Sequence, residues 1–347
     1  MKILLDIGHP AHVHLFRNSR RILMERGHDV FAIARDKEIV HYLLKAYRIE
    51  FYKGSIQKTG CRAPLELIEW FWKVYSLIGK LQIDLVVSIG SPGGAWAAKF
   101  RGIPHLAFND TENATKQRVI YKPAVTEIFT PNCFNVELGA KQVRYKGYHE
   151  LAYLRPGYFS PDQSILDMLG IQNNEKFVII RFVGWEASHD INHSGLSLQI
   201  KRKAVQEFSK YAKVFITSEK KMPEDLEKYR ITIPPERIHD AQYYAALLYG
   251  ESATMASECA VLGTPAIYLD NDGRGYTDEQ EEKYGAVFNF TESPEDQERS
   301  IEKGIELLQM SNINEIWEEK RKKLLEDTID VTAFIVSEIE KYSESVK

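Results

Sequence analysis

Short apolar runs alternate with longer stretches in which apolar residues recur every three or four positions, and the alternation begins at once. Runs at 2–6, 30–34 and 50–52 predict strands, and the stretches at 13–26 and 37–46 between them predict helices. Such a rhythm means βαβ units and a mostly parallel sheet. It continues with an amphipathic segment at 64–81, strands at 84–89 and 105–108, and a glycine-rich turn at 90–94 opening a helix to Phe100. A helix at 116–123 and short strands at 127–130 and 143–146 follow. The stretch Leu154-Arg155-Pro156-Gly157-Tyr158-Phe159-Ser160-Pro161 is rich in chain breakers and is the expected linker. A second alternating series then has strands at 177–182, 214–217, 247–249 and 266–269, with helices such as 199–211 between them. The expectation is α/β, with two doubly wound domains facing across a cleft, an N-terminal one over 1–155 and a C-terminal one over 160–327. The last helix, about 328–347, is expected to pack back on the first domain.

Within 64–81, Ile68, Phe71, Trp72, Tyr75 and Ile78 fall on one helical stripe, the expected core face. Trp70 and Leu67 fall off it and become candidates for contact with a lipid tail or a membrane interface.

The segment 249–269 carries the most chemistry. Ser252 and Thr254 open an expected helix, where free backbone N–H groups and the helix dipole favour an anion. Glu258 lies a turn further on, where a carboxylate can accept hydrogen bonds from a ribose diol. Gly263 and Pro265 end the helix. An ordinary capped helix between two strands fits the same pattern.

The turn Asp6-Ile7-Gly8-His9-Pro10-Ala11-His12-Val13-His14 joins the first strand to the first helix, where α/β active sites lie. Its three histidines invite a metal reading, yet no acidic and histidine residues downstream complete a first shell, so no metal site is expected. Capping or core roles suit His9 and His14. His12, at a helix start, is a candidate general base. In Asn109-Asp110-Thr111-Glu112-Asn113, either Asp110 or Glu112 can take the proton of an acceptor hydroxyl; a solvated loop capping the next helix is the alternative. In the second domain Arg181, Ser188 and His189 are candidates for diphosphate oxygens, against a plain surface loop. The turn at 270–275 and Asp278-Glu279-Gln280 can reach a sugar hydroxyl, and their spacing does not match a calcium loop.

Composition narrows the classes. A chain of 347 residues suits two domains, and a net charge of −4 offers no general attraction to nucleic acid. Cys61, Cys133 and Cys259 are far apart, against a disulfide framework, and a cytoplasmic setting is expected. No P-loop, GxGxxG, GxSxG or kinase signature occurs.

With both candidate sites in view, several stretches resemble the lipid-linked N-acetylglucosaminyltransferase of peptidoglycan synthesis. His12-Val13 through Arg26-Gly27-His28-Asp29-Val30 is similar to its GGHVFPA turn, helix and RGHEV strand entry, with Pro10-Ala11 replacing the double glycine. The stretches Asp84-Leu85-Val86-Val87-Ser88-Ile89-Gly90 and Ala97-Ala98-Lys99-Phe100-Arg101-Gly102-Ile103-Pro104 match its DVVVGxGG and AAxxxGIP elements. Glu112-Asn113-Ala114 resembles the end of its HEQNA loop, displaced by one residue. Residues 252–265 look like its GAMTVAELAALGKP segment, and Asp278-Glu279-Gln280 resembles its DHQ. Its GGSxGA loop is missing, and residues 181–190 stand in that place. Ser188-His189-Asp190-Ile191-Asn192 faintly resembles the TxHRREN segment of the non-hydrolysing UDP-N-acetylglucosamine 2-epimerases. The chain is similar to an archaeal and bacterial family of GT-B fold proteins, a domain of unknown function, related to both groups.

The resemblance implies a GT-B fold of two Rossmann-like domains and a metal-independent glycosyltransferase using a nucleotide-diphosphate sugar such as a UDP-sugar, in cell-surface glycan or glycolipid synthesis. Arg181, Ser188, His189, Ser252 and Thr254 would hold the diphosphate, Glu258 the ribose and Gln280 the sugar. The base would be His12, Asp110 or Glu112. No cofactor beyond the substrate is implied, and the partners are the donor and a small-molecule or lipid-linked glycan acceptor, at the inner face of the membrane. A 2-epimerase and a catalytically inactive GT-B-like binding protein are the alternatives.

Overall fold

The structure is a computed structural model and describes residues 1–56, 63–172, 175–183, 195–218 and 220–343. The chain divides into two compact units, Met1–Tyr153 with Ile329–Lys347, and Leu154–Thr328.

The first unit holds strands β1 (Lys2–Ile7), β2 (Asp29–Asp36), β3 (Tyr52–Ile56), β4 (Leu85–Ser88), β5 (His105–Phe108), β6 (Glu127–Pro131) and β7 (Gln142–Tyr145). They form one parallel sheet in the order β3-β2-β1-β4-β5-β6-β7. Its helices are α1 (Pro10–Glu25), α2 (Glu38–Ala46), α3 (Ala63–Leu81), α4 (Pro92–Arg101) and α5 (Thr115–Tyr121), with α6 (Leu151–Leu154) at the passage to the second unit. Every residue of β4 and β5 is buried, as expected of strands covered on both faces. Strand order reverses between β1 and β4, which puts the ligand-binding position of such a sheet outside their carboxyl ends.

The second unit runs α7 (Ser164–Leu169), β8 (Phe177–Phe182), α8 (Leu198–Phe208), β9 (Lys213–Ser218), α9 (Glu224–Glu227), α10 (Ile238–Tyr244), β10 (Leu247–Gly250), α11 (Ala253–Leu262), β11 (Ala266–Leu269), α12 (Gly275–Glu282), β12 (Val287–Phe290), α13 (Pro294–Gln309) and α14 (Ile313–Asp327). Its parallel sheet has the order β12-β11-β10-β8-β9, reversing between β8 and β10. Finally α15 (Val331–Glu340) returns to the first unit, lying against α1, with the Thr332 hydroxyl donating to the Ala152 carbonyl at 2.6 Å.

The phase of α3 corrects the sequence reading. Its buried stripe is Glu66, Trp70, Val74, Leu77 and Ile78, whereas Ile68 and Trp72, expected in the core, face solvent. Trp70, a candidate for lipid contact, is completely buried. Two polar demands turn the helix this way: the Trp70 indole N–H donates to Asp6 Oδ2 at 2.9 Å, and Glu66 pairs with Arg35. A buried carboxylate without a donor is costly, so the indole is drawn inward. Leu65, Ile68 and Trp72 are left as an outward apolar stripe. It continues through the edge contact of Phe71 with Phe100 and the contact of Phe100 with Trp96, whose indole N–H donates to the Ile120 carbonyl. Trp72 is 60% and Phe100 68% exposed.

Candidate functional site

In the first unit the carboxyl ends of β1, β5 and β7 carry the polar groups. His9 caps α1, its Nδ1 accepting the Ala11 N–H at 3.3 Å, and His14 is buried against Tyr47 and Tyr153. His12 sits in the first turn of α1, and its Nδ1 accepts the backbone N–H of Gly8 at 3.1 Å. A backbone N–H only donates, so Nδ1 presents its lone pair, and in the neutral ring the proton is on Nε2. Burial, helped by His9, holds the His12 pKa well below the ordinary value, so the ring is neutral.

Asp110, just beyond β5, is paired with a residue the sequence reading missed. Its Oδ2 lies 2.9 Å from Nδ1 of His149, and its Oδ1 accepts the Thr111 hydroxyl at 3.0 Å. Burial would raise the Asp110 pKa, but the charge and hydrogen bond of His149 outweigh it and bring the carboxyl down to about 2. Burial would lower His149, and Asp110 overrides it and raises the imidazole above its usual value. The Nε2 of His149 is buried and has no hydrogen-bond partner among the described residues. The ring stacks on Tyr145 with centroids 6.5 Å apart and planes 11° from parallel. His12 is close enough to feel both charges. Glu112, the other candidate carboxylate, is engaged with Asn135, whose backbone N–H it accepts at 3.4 Å.

In the second unit the β10–α11 turn is built around Gly250, whose φ of +145° only glycine adopts readily, and where a Cβ would collide with the Arg181 carbonyl. Ser252 caps α11, its hydroxyl accepting the Met255 N–H at 3.3 Å. Thr254 and Glu258 are four residues apart and share a helix face. Thr254 is half-buried. The Glu258 carboxylate is buried and held from α10, by His239 Nε2 at 2.9 Å and by the Gln242 amide at 2.9 Å.

Gln280, the expected sugar contact, has a fully buried side chain that donates to the Ser257 hydroxyl at 2.8 Å and joins α12 to α11. Its place on the inner face of α12 engages the amide N–H in packing, and its Oε1 has no hydrogen-bond partner among the described residues. Arg181, the penultimate residue of β8, donates to the Thr217 hydroxyl at 3.1 Å. Ser188 and His189 lie outside the described residues. The ends of the chain on either side of 184–194 are held by Glu251, which accepts the backbone N–H of Val183 at 2.9 Å and of Leu196 at 2.5 Å. Glu251 is buried and also faces Lys201 at 3.5 Å. Nothing in its sequence pattern singled it out.

A family model described as Protein of unknown function (DUF354) matches residues 1–273. The chain belongs to that family. No curated protein matches the sequence. Among solved structures, S. aureus MnaA in a co-structure with UDP matches at 12% identity and a TM-score of 0.73, over 99% of this chain and 97% of that one. The UDP-GlcNAc 2-epimerase from Neisseria meningitidis bound to UDP-GlcNAc matches at 14% identity and a TM-score of 0.68, over 98% and 100%. MurG from Acinetobacter baumannii matches at 18% identity and a TM-score of 0.56, over 98% and 99%. With two parallel-sheet Rossmann-like units, these likenesses show that the fold is GT-B.

Proposed function

We propose that the protein is a glycosyltransferase using a nucleotide-diphosphate sugar, with nucleotide contacts on the second unit and acid–base groups on the first. The observation that carries the reading is the start of α11: Gly250 lets the chain turn tightly, Ser252 caps the helix, and Thr254 and Glu258 lie along one face beyond it. Backbone N–H groups of a helix start, with a threonine hydroxyl, suit a diphosphate, and they take the place of a divalent metal in offsetting its charge. Glu258, held on this face by His239 and Gln242, supplies the carboxylate that would meet a ribose hydroxyl. Arg181, at the end of the neighbouring strand β8, adds a positive charge on the same edge of the sheet.

Isothermal titration of UDP, GDP, CDP and dTDP against the wild type, Thr254→Val and Glu258→Gln tests the reading. One nucleotide diphosphate binds the wild type and binds both variants at least tenfold more weakly. If none binds the wild type, the reading fails.

A second reading, a nucleotide-sugar 2-epimerase, has the same fold-level support, since epimerases and glycosyltransferases both stand among the similar structures. Deuterium entering C2 of the sugar without an acceptor would favour it over transfer.

The exposed stripe of Leu65, Ile68, Trp72 and Phe100 supports a lipid-linked acceptor or peripheral membrane contact, since basic side chains border it, Lys99 over the Trp96 ring that meets Phe100 and Arg101 over the Tyr75 ring that meets Trp72. Among the described residues no helix is long and apolar enough to cross a membrane.

A further inference from the structure

The three polar groups at the carboxyl edge of the first unit divide acid–base work differently from the sequence reading. In a neutral imidazole one nitrogen carries a proton and the other a lone pair, and the partner of the first nitrogen decides which is which. The Gly8 N–H claims the lone pair of His12 at Nδ1, so its Nε2 presents a proton. A group whose outward nitrogen already holds a proton is a hydrogen-bond donor and not a base. Both oxygens of Asp110 are engaged, one with His149 and one with Thr111. The reverse holds for His149. Its Nδ1 must donate to the Asp110 carboxylate, so in the neutral ring the lone pair is on Nε2, the atom left without a partner.

We propose that His149 is the general base of this site, oriented by Asp110, and that His12 is the neutral donor beside it. The logic is that of a base held by a third group, built here from the ends of β5 and β7. For the transfer reaction proposed above, on which the identity of the substrate rests, Nε2 of His149 removes the proton of the acceptor hydroxyl. The hydroxyl oxygen forms its bond to C1 of the donor sugar, the bond from C1 to the diphosphate oxygen breaks, and the diphosphate leaves with the electron pair. The proton remains on His149, whose imidazolium is stabilised by the ionised Asp110.

The charged and titratable groups acting on His149 are Asp110 and Glu150, with the Tyr145 ring stacked on it; those acting on His12 are His9, Asp110, His149 and Arg35. Asp110 and Glu150 favour the charged form of His149, so the acidic limb of kcat/KM lies above the ordinary imidazole value, and it moves down in Asp110→Asn.

Two measurements test the assignment. Imidazole resonances of the wild type, selectively labelled at histidine, report the tautomers with or without turnover. The expected result is His149 titrating above its usual pKa with its proton on Nδ1 when neutral, and His12 neutral with its proton on Nε2. A neutral His12 protonated on Nδ1, or a His149 neutral with its proton on Nε2, overturns the proposal. Kinetics of His149→Gln, His149→Asn and His12→Gln form the second arm. The His149 variants are expected to lose at least a hundredfold in kcat while binding the nucleotide diphosphate as the wild type does, and His12→Gln, which keeps an N–H donor, loses less. Full kcat in a folded His149 variant overturns it. Absence of nucleotide binding in the wild type sinks the transferase reading instead, and the resonance measurement still decides the role of His149.

Discussion

Trp70 donates its indole N–H to Asp6 Oδ2 at 2.9 Å, and through that bond a buried carboxylate on β1 fixes the rotation of α3. Removing the donor while keeping the ring tests this. Trp70→Phe is expected to lower unfolding free energy by about 1–3 kcal/mol, read from urea midpoints, because the acceptor stays buried. Burial raises the Asp6 pKa in the folded state, so Asp6 costs stability as pH rises through its folded value, and the loss in Trp70→Phe is smaller at pH 4 than at pH 8.

Glu251→Gln is expected to lower stability by about 1–3 kcal/mol, since an amide offers one acceptor oxygen where the carboxylate offers two. Hydrogen exchange localises the effect. The amides of Val183 and Leu196 lose protection before those of β10, and equal loss throughout the second unit would contradict the role.

The Asp110–His149 pair gives a pH dependence whose sign is fixed at both ends. The Asp110 pKa falls from 3.8 to about 2 on folding, so its contribution is present above 3.8 and is lost as pH falls toward 2. His149 is raised above 6.5, so its contribution is full below 6.5 and is lost as pH rises through the folded value. His12 and His105, both lowered by burial, act oppositely and cost stability as pH falls below 6.5. The difference between wild type and Asp110→Asn isolates the pair. It is expected to reach roughly 2 kcal/mol between the two limits and to shrink on either side, by denaturation at a series of pH values.

Trp72→Ser combined with Phe100→Ser removes two largely exposed rings whose ring contacts lie at the surface. Unfolding free energy is expected to change by less than about 0.5 kcal/mol per site. Co-sedimentation with vesicles containing anionic lipid is expected to fall at least tenfold. Unchanged vesicle binding would remove the support this surface gives to a lipid-linked acceptor.

The parallel strands were readable because runs such as Leu85-Val86-Val87 and Ile179-Ile180 are buried on both faces and carry their signal locally. The α3 face was not. Apolar residues crowd every side of that helix, and the inward side is chosen by Asp6 and Arg35, on other strands. His149 escaped notice for a related reason. It follows a short strand, and its meaning arises only when the sheet brings β7 near β5. The helix start at Ser252 was legible because the signals that open a helix are local, whereas the burial of Gln280 depends on how α12 meets α11.

The first unit is assembled from both sides of the second, for α15 lies against α1 and Thr332 is tied to the Ala152 carbonyl. On the ribosome, where domains tend to fold in the order they emerge, its β-sheet is synthesised early yet waits for the last helix while the whole second unit is made. Until then the α1 surface that α15 will cover lacks its partner helix.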